Sequence, residues 1–174
     1  MIKTILVPTD GSDHAGKAVA LASDIAEKYG ARLVILHVLR RGGLTEEARH
    51  MAEVEHLAEP AAAGGPFAAN TPASAASALR RTQGSEDEGQ ILSRIGDRIL
   101  GGAEMTAREN NVEQIETRME EGDPVKGILK AAEQEEANLI VMGCRGLSDL
   151  KGLLMGSVSH KVSQLAPCTC VTVK

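Results

Sequence analysis

The spacing of apolar residues changes period several times along the chain. Residues 2–7 form a short β-branched and aliphatic run closed by Pro8, and Thr9-Asp10-Gly11-Ser12-Asp13 then supplies turn and helix-capping side chains. Ala18, Ala22, Ile25, Ala26 and Tyr29 recur at helical spacing, and Gly30 stands where a left-handed residue would end that helix. Residues 32–38 give a second aliphatic strand, which completes one βαβ unit. Further on, Ile91, Ile95 and Ile99 share a helical face, and residues 112–119 alternate as a strand. Gly122-Asp123-Pro124 then places an N-cap and a first-turn proline before a helix ending near Glu136. Residues 138–142 read as a buried strand, 157–165 as a helix and 169–173 as a last strand. Strands alternating with helices in this way predict an α/β protein with an open, five-stranded, mostly parallel, doubly wound sheet.

Residues 41–90 break the alternation, being far longer than the roughly 15 residues that a structureless connection reaches. The pattern predicts a single domain over 1–174 with an insertion at about 41–90. Ala48, Met51 and Ala58 have helical spacing within 45–59. From 58 to 78, ten of the twenty-one residues are Ala and three are Pro, a composition too poor in large apolar groups to build a core. The expectation is a helix followed by a flexible Ala/Pro/Gly-rich tether, with Arg80-Arg81 and Glu86-Asp87-Glu88 solvated.

Composition narrows the possible ligands. The 174 residues include one Phe, one Tyr and no Trp, so stacking platforms of the kind used by flavin and single-stranded nucleic acid sites are missing. Any flat ring must rest on aliphatic side chains. A net charge of -5 disfavours nucleic acid as a partner. No apolar run approaches the roughly 20 residues that span a bilayer, and no secretory leader pattern precedes the first strand, so the expected localisation is cytoplasmic. Cys144, Cys168 and Cys170 form no CxxC pair and suit reduced, structural thiols. His14, His37, His50, His56 and His160 lack ligand spacing, so no metal site is expected and the histidines read as surface or packing residues.

Candidate chemistry collects after the strand ending at Met142. Gly143-Cys144-Arg145-Gly146 is followed, nine residues later, by Gly156-Ser157. Glycine allows a ligand to approach the main chain, and a helix opening at Gly156-Ser157 offers free N–H groups to an anion. Together they describe a phosphate cradle at the carboxyl end of a parallel strand; a turn, a surface loop and a Ser N-cap are the plainer account. Asp10 could accept hydrogen bonds from ribose hydroxyls or could cap the next helix. No GxxxxGK[ST] and no GxGxxG after the first strand occur, so neither a P-loop nor a dinucleotide fingerprint is present. A phosphoryl-receiver domain would need an acidic pair after the first strand, a phosphorylatable Asp after the third, where Met119-Glu120-Glu121 stands instead, and a Lys near the fifth. A flavodoxin would need a hydroxyl-rich first loop and aromatic partners. Neither reading fits.

Val7-Pro8-Thr9-Asp10-Gly11-Ser12, the Gly143-x2-Gly146-x9-Gly156-Ser157 spacing and the ending Ala166-Pro167-Cys168 resemble the ATP-binding branch of the universal stress protein family, over 1–40 and about 91–174. The resemblance implies a homodimer that binds ATP, or AMP or ADP, between the first and fourth strands. By that resemblance Pro8, Thr9 and Asp10 line the adenine and ribose, Val38 covers the adenine face, and Met142, Gly143 and Gly146 pass beneath ribose and phosphates. Gly156, Ser157, Val158 and Ser159 donate to the phosphates, and Arg145 is placed to pair with them. Any Mg2+ would be held by the phosphates. The expected function is a nucleotide-dependent, dimeric stress-response switch acting on a protein partner through no catalytic residue, with the homodimer formed through the C-terminal strand. A slow ATPase or phosphotransferase is the alternative, and a binding role carried by the insertion is a third.

Overall fold

A computed structural model describes residues 1–40, 73–147 and 155–174, with side chains of the long central helix described from residue 89. The chain divides into two units, Met1–Arg41 with Gly96–Lys174, and Gly42–Ile95. The first is a sheet of β1 (Thr4–Pro8), β2 (Arg32–Leu39), β3 (Ile115–Glu121), β4 (Leu139–Gly143) and β5 (Thr169–Val173), in the order β3-β2-β1-β4-β5. Every described pairing is parallel. The helices are α1 (Asp13–Tyr29), α2 (Ala73–Glu109), α3 (Pro124–Gln134) and α4 (Ser157–Leu165).

Side chains alternate across each strand, so the sheet has two apolar faces. Ile5, Val7, Leu33, Ile35 and Val141 meet Ala18, Ala22 and Ala26 of α1 and Leu100, Ala103 and Ala107 of α2. On the other face Leu6, Val34, Leu36, Ile140 and Met142 meet Ile128, Ala131 and Ala132 of α3 and Val162 of α4. Burial on both faces is why β1 and β2 read as continuous aliphatic runs; each fully buried Leu or Ile contributes about 1.5–3 kcal/mol. Small alanines on α1 let the helix lie close to the sheet.

Local chemistry sets the helix ends. Ser12 caps α1 by accepting from the Ala15 N–H, and Gly30, at φ 61°, closes it with its N–H on the Ala26 and Glu27 carbonyls. Asp123 caps α3 at the Lys126 N–H, with Pro124 in the first turn, as expected from sequence. Several boundaries shift by a few residues, two of them for a visible reason. β3 begins at Ile115 because Asn111 (φ 58°) ends α2 and the Val112 N–H returns to the Ala107 carbonyl, making buried Val112 the anchor of a helix end rather than a strand residue. α3 stops at Gln134 because Glu136 takes a left-handed φ of 48°.

α2 begins at Ala73, inside the stretch expected to be a tether. Poverty in large apolar residues argues against a core of its own, but alanine is the best helix former, and the backbone is helical from Ala73. The expected helix over 45–59 and the tether over 58–72 lie outside the described residues.

Candidate functional site

Chain order runs outward from β1 through β2 to β3, then returns to β4 beside β1 and ends at β5. The order therefore reverses between β1 and β4, and the connections leaving their carboxyl ends diverge and open a crevice there. Pro8 ends β1 at this position, with Thr9 and Asp10 beyond it; Val38 lies near the end of β2, and Met142 and Gly143 end β4. Met142 belongs to the α3 and α4 face of the sheet and Val38 packs against it; Pro8, two residues beyond Leu6, points to that side too. An added Cβ on Gly127 of α3 would come within 3.1 Å of Val38 Cγ2. Three aliphatic side chains from neighbouring strands thus share one face at the crevice.

Asp10 ties the two loops together. Its Oδ1 accepts from the Ser12 N–H at 3.1 Å and the Ser12 hydroxyl at 2.6 Å, and its Oδ2 accepts from the Leu147 N–H at 3.0 Å. Asp10 therefore does not cap α1 itself; it orients Ser12, which does. A Cβ on Gly146 would overlap Oδ2 of Asp10, while one on Gly143 would press to within 2.9 Å of the His14 and Ala15 main chain at the start of α1. Both glycines thus answer first to contacts within the protein. Gly156 is less confined, with the Cys144 carbonyl 3.4 Å from its would-be Cβ.

Gly156, not Ser157, is the N-cap of α4, and no side chain caps the helix there. Ser157 is exposed in the first turn, which overturns the plainer account of it as an N-cap: Gly156 already supplies the extended backbone that opens the helix. The first-turn N–H groups have no partner within the helix, as at any helix start. Val158 packs on the apolar cluster beneath α4. Ser159 is buried, and its hydroxyl donates to the Cys144 and Gly156 carbonyls at 2.8 and 3.0 Å, so only its N–H remains of the expected donor pair. Arg145 is half-buried between the loop glycines. Of the nine residues spanning Gly146 to Gly156, 148–154 lie outside the described residues.

Sequence reasoning missed four participants. The Cys144 carbonyl is a hub, accepting from the Gly156 N–H at 2.7 Å as well as from Ser159, and His14 abuts Gly143. Leu147 holds Asp10, and His37, expected as a packing or surface residue, places Nδ1 2.8 Å from the Thr9 carbonyl. Only a polar ring interrupting an aliphatic strand could have drawn attention to His37. Cys168 and Cys170 pack on one face of the sheet, as the period of two requires, and burial raises both thiols above their usual range. Among the described residues no three or more His, Cys, Asp or Glu side chains gather as a metal site, and no helix is long and apolar enough to cross a membrane.

A parallel sheet with a reversal between its first and fourth strands, and a glycine loop running from β4 towards a helix start, defines the doubly wound α/β class with a ligand crevice at the switch point. Within that class the chain belongs to the universal stress protein family, whose model matches residues 1–174. It is 33% identical over 174 residues to universal stress protein YxiE of Bacillus subtilis (strain 168), with all of both chains covered. A universal stress protein solved in complex with cAMP shares the fold at a TM-score of 0.62 and 24% identity, over 99% of this chain and 96% of that one. So does the universal stress protein from Archaeoglobus fulgidus in complex with dAMP, at a TM-score of 0.58 and 17% identity, covering 100% and 98%.

Proposed function

We propose that this chain binds an adenine nucleotide, ATP or AMP or ADP, in the crevice between β1 and β4, and that occupancy switches how a cytoplasmic homodimer meets a protein partner during stress. The observation that carries the reading is the 3.0 Å bond between Asp10 and the Leu147 N–H, which brings a carboxylate suited to sugar hydroxyls against the glycine loop leading towards the α4 helix start. The half-buried Val38 side chain offers the adenine an aliphatic surface, with Pro8 and Met142 buried on the same side of the sheet. The first-turn N–H groups of α4 and the Ser157 hydroxyl offer donors to phosphates. Two relatives of the same fold hold cAMP and dAMP, which supports an adenine nucleotide as the class of ligand. A Mg2+ ion would enter with the phosphates.

Mass spectrometry of small molecules released from the purified protein tests the reading. Adenine nucleotide in near-stoichiometric amount is expected, as triphosphate if the protein is a switch and as diphosphate with turnover if it hydrolyses ATP. Because Ser157 caps nothing, Ser157→Ala should weaken ATP by about 1–2 kcal/mol through a lost hydrogen bond while leaving the melting temperature nearly unchanged. Lower stability with full affinity would contradict the role given to Ser157.

A further inference from the structure

We propose that His37 is a positioning residue: it ends the β1–β2 ladder by capturing the Thr9 carbonyl, and so turns Thr9-Asp10 towards β4 and leaves the Val38 main chain open to the crevice. The functional consequence rests on the adenine-nucleotide reading; the geometry does not.

In a parallel sheet the N–H and C=O of one residue point to the same neighbouring strand, and successive residues point to opposite neighbours. The Thr9 N–H donates to the Leu36 carbonyl at 2.8 Å, so Leu36 faces β1. Val38, two residues on, faces the same way. Continuing the ladder would require the Thr9 carbonyl to accept from the Val38 N–H. Instead the register ends at Pro8 opposite Leu36, while β2 and β3 stay paired as far as Leu39 opposite Glu121. The Thr9 carbonyl lies 2.8 Å from His37 Nδ1.

A carbonyl oxygen can only accept, so Nδ1 carries the proton and the neutral ring is the Nδ1–H tautomer. The ring is fixed in that orientation. It is 9% exposed and lies against α2, where a Cβ added to Gly96 would come within 3.1 Å of His37 Cδ2 and 2.8 Å of Met119 Cε. With its carbonyl held by the ring, the chain after Thr9 leaves β2 and carries Asp10 to the Leu147 N–H. A side chain thereby takes the place of one ladder bond, and the main-chain polar groups of Val38 are left facing the crevice.

Three measurements on the full chain test this. Nitrogen NMR of the imidazole should show the Nδ1–H form; the Nε2–H form would overturn the proposal and needs no variant that folds. Amide exchange at Val38 should be fast in the unmutated protein without nucleotide and slow in His37→Phe, where the ladder can extend by one bond; strong protection of Val38 in the unmutated protein would overturn it. ATP should bind His37→Phe about tenfold more weakly, and His37→Asn, whose side-chain amide can replace Nδ1–H, should recover most of that loss. A folded His37→Phe protein with unmutated affinity would overturn the positioning role. If the unmutated protein binds no ATP while the tautomer and exchange results hold, the nucleotide reading fails and the His37 geometry stands.

Discussion

A methyl group added to Gly146 would collide with the Asp10 carboxylate, which already serves Ser12 on one oxygen and Leu147 on the other. Neither Gly146 nor Gly143 has a positive φ, so close approach and not backbone freedom demands glycine at both. Gly146→Ala should therefore cost about 1–3 kcal/mol of stability, and much of that cost should vanish in an Asp10→Ala background. Chemical denaturation of the two single variants and the double variant measures the coupling. Equal costs of Gly146→Ala in both backgrounds would show that the glycine serves something other than Asp10. At this scale the sequence identified the residue types and their spacing. It could not show which contact each glycine serves, because Asp10 and Leu147 lie 137 residues apart and meet only through the sheet.

At the scale of elements, β1, β2 and β4 were legible because burial on both faces leaves uninterrupted aliphatic runs, and the caps at Gly30 and Asp123 were legible because each is local chemistry. β3 was misplaced by three residues at its start since a helix-end anchor and a strand residue are both apolar, and α2 was foreshortened since alanine-rich composition does not separate helix from tether. The edge strand β3 carries a charge network that no local pattern announced. Glu135 accepts from Arg32 at 2.7 Å and from Arg118, Arg32 also reaches Glu116 at 2.8 Å, and Arg118 and Lys130 meet Glu120. Hydrogen bonding from Arg32 is the main cause that holds the Glu135 carboxyl below the usual carboxylate range, with both arginine charges adding to it. Because the folded state favours the ionised form, this stabilisation is full above the unfolded carboxyl's value of about 4.3 and is lost as pH falls through the lower folded value. Glu135→Gln should thus lower the urea midpoint at neutral pH, and the gap from the unmutated protein should close as the pH drops below about 4. A gap that does not change with pH would show that packing, and not charge, is what Glu135 provides.

For the whole molecule, the two sheet edges differ in kind. β3 is studded with Glu116, Arg118, Glu120 and Glu121, which blunt it against pairing, whereas β5 is Thr-Cys-Val-Thr-Val with no charge, half-buried from Cys170 onward. Val171 and Val173 pack on one face of the sheet and Cys170 on the other, so what β5 leaves open is its main chain. The asymmetry supports β5 as the strand that a second copy covers. Sedimentation at micromolar concentration should give twice the 18.3 kDa chain mass, and a monomer with or without ATP would rule the β5 dimer out. Beneath the proposed dimer and the proposed switch lies the claim that adenine nucleotide occupies the β1–β4 crevice. Calorimetric titration of ATP into the folded protein, first freed of bound nucleotide, tests that claim most directly. The account predicts saturable binding at one site per chain, weakened in Ser157→Ala; no binding by a protein whose fold is intact would contradict it.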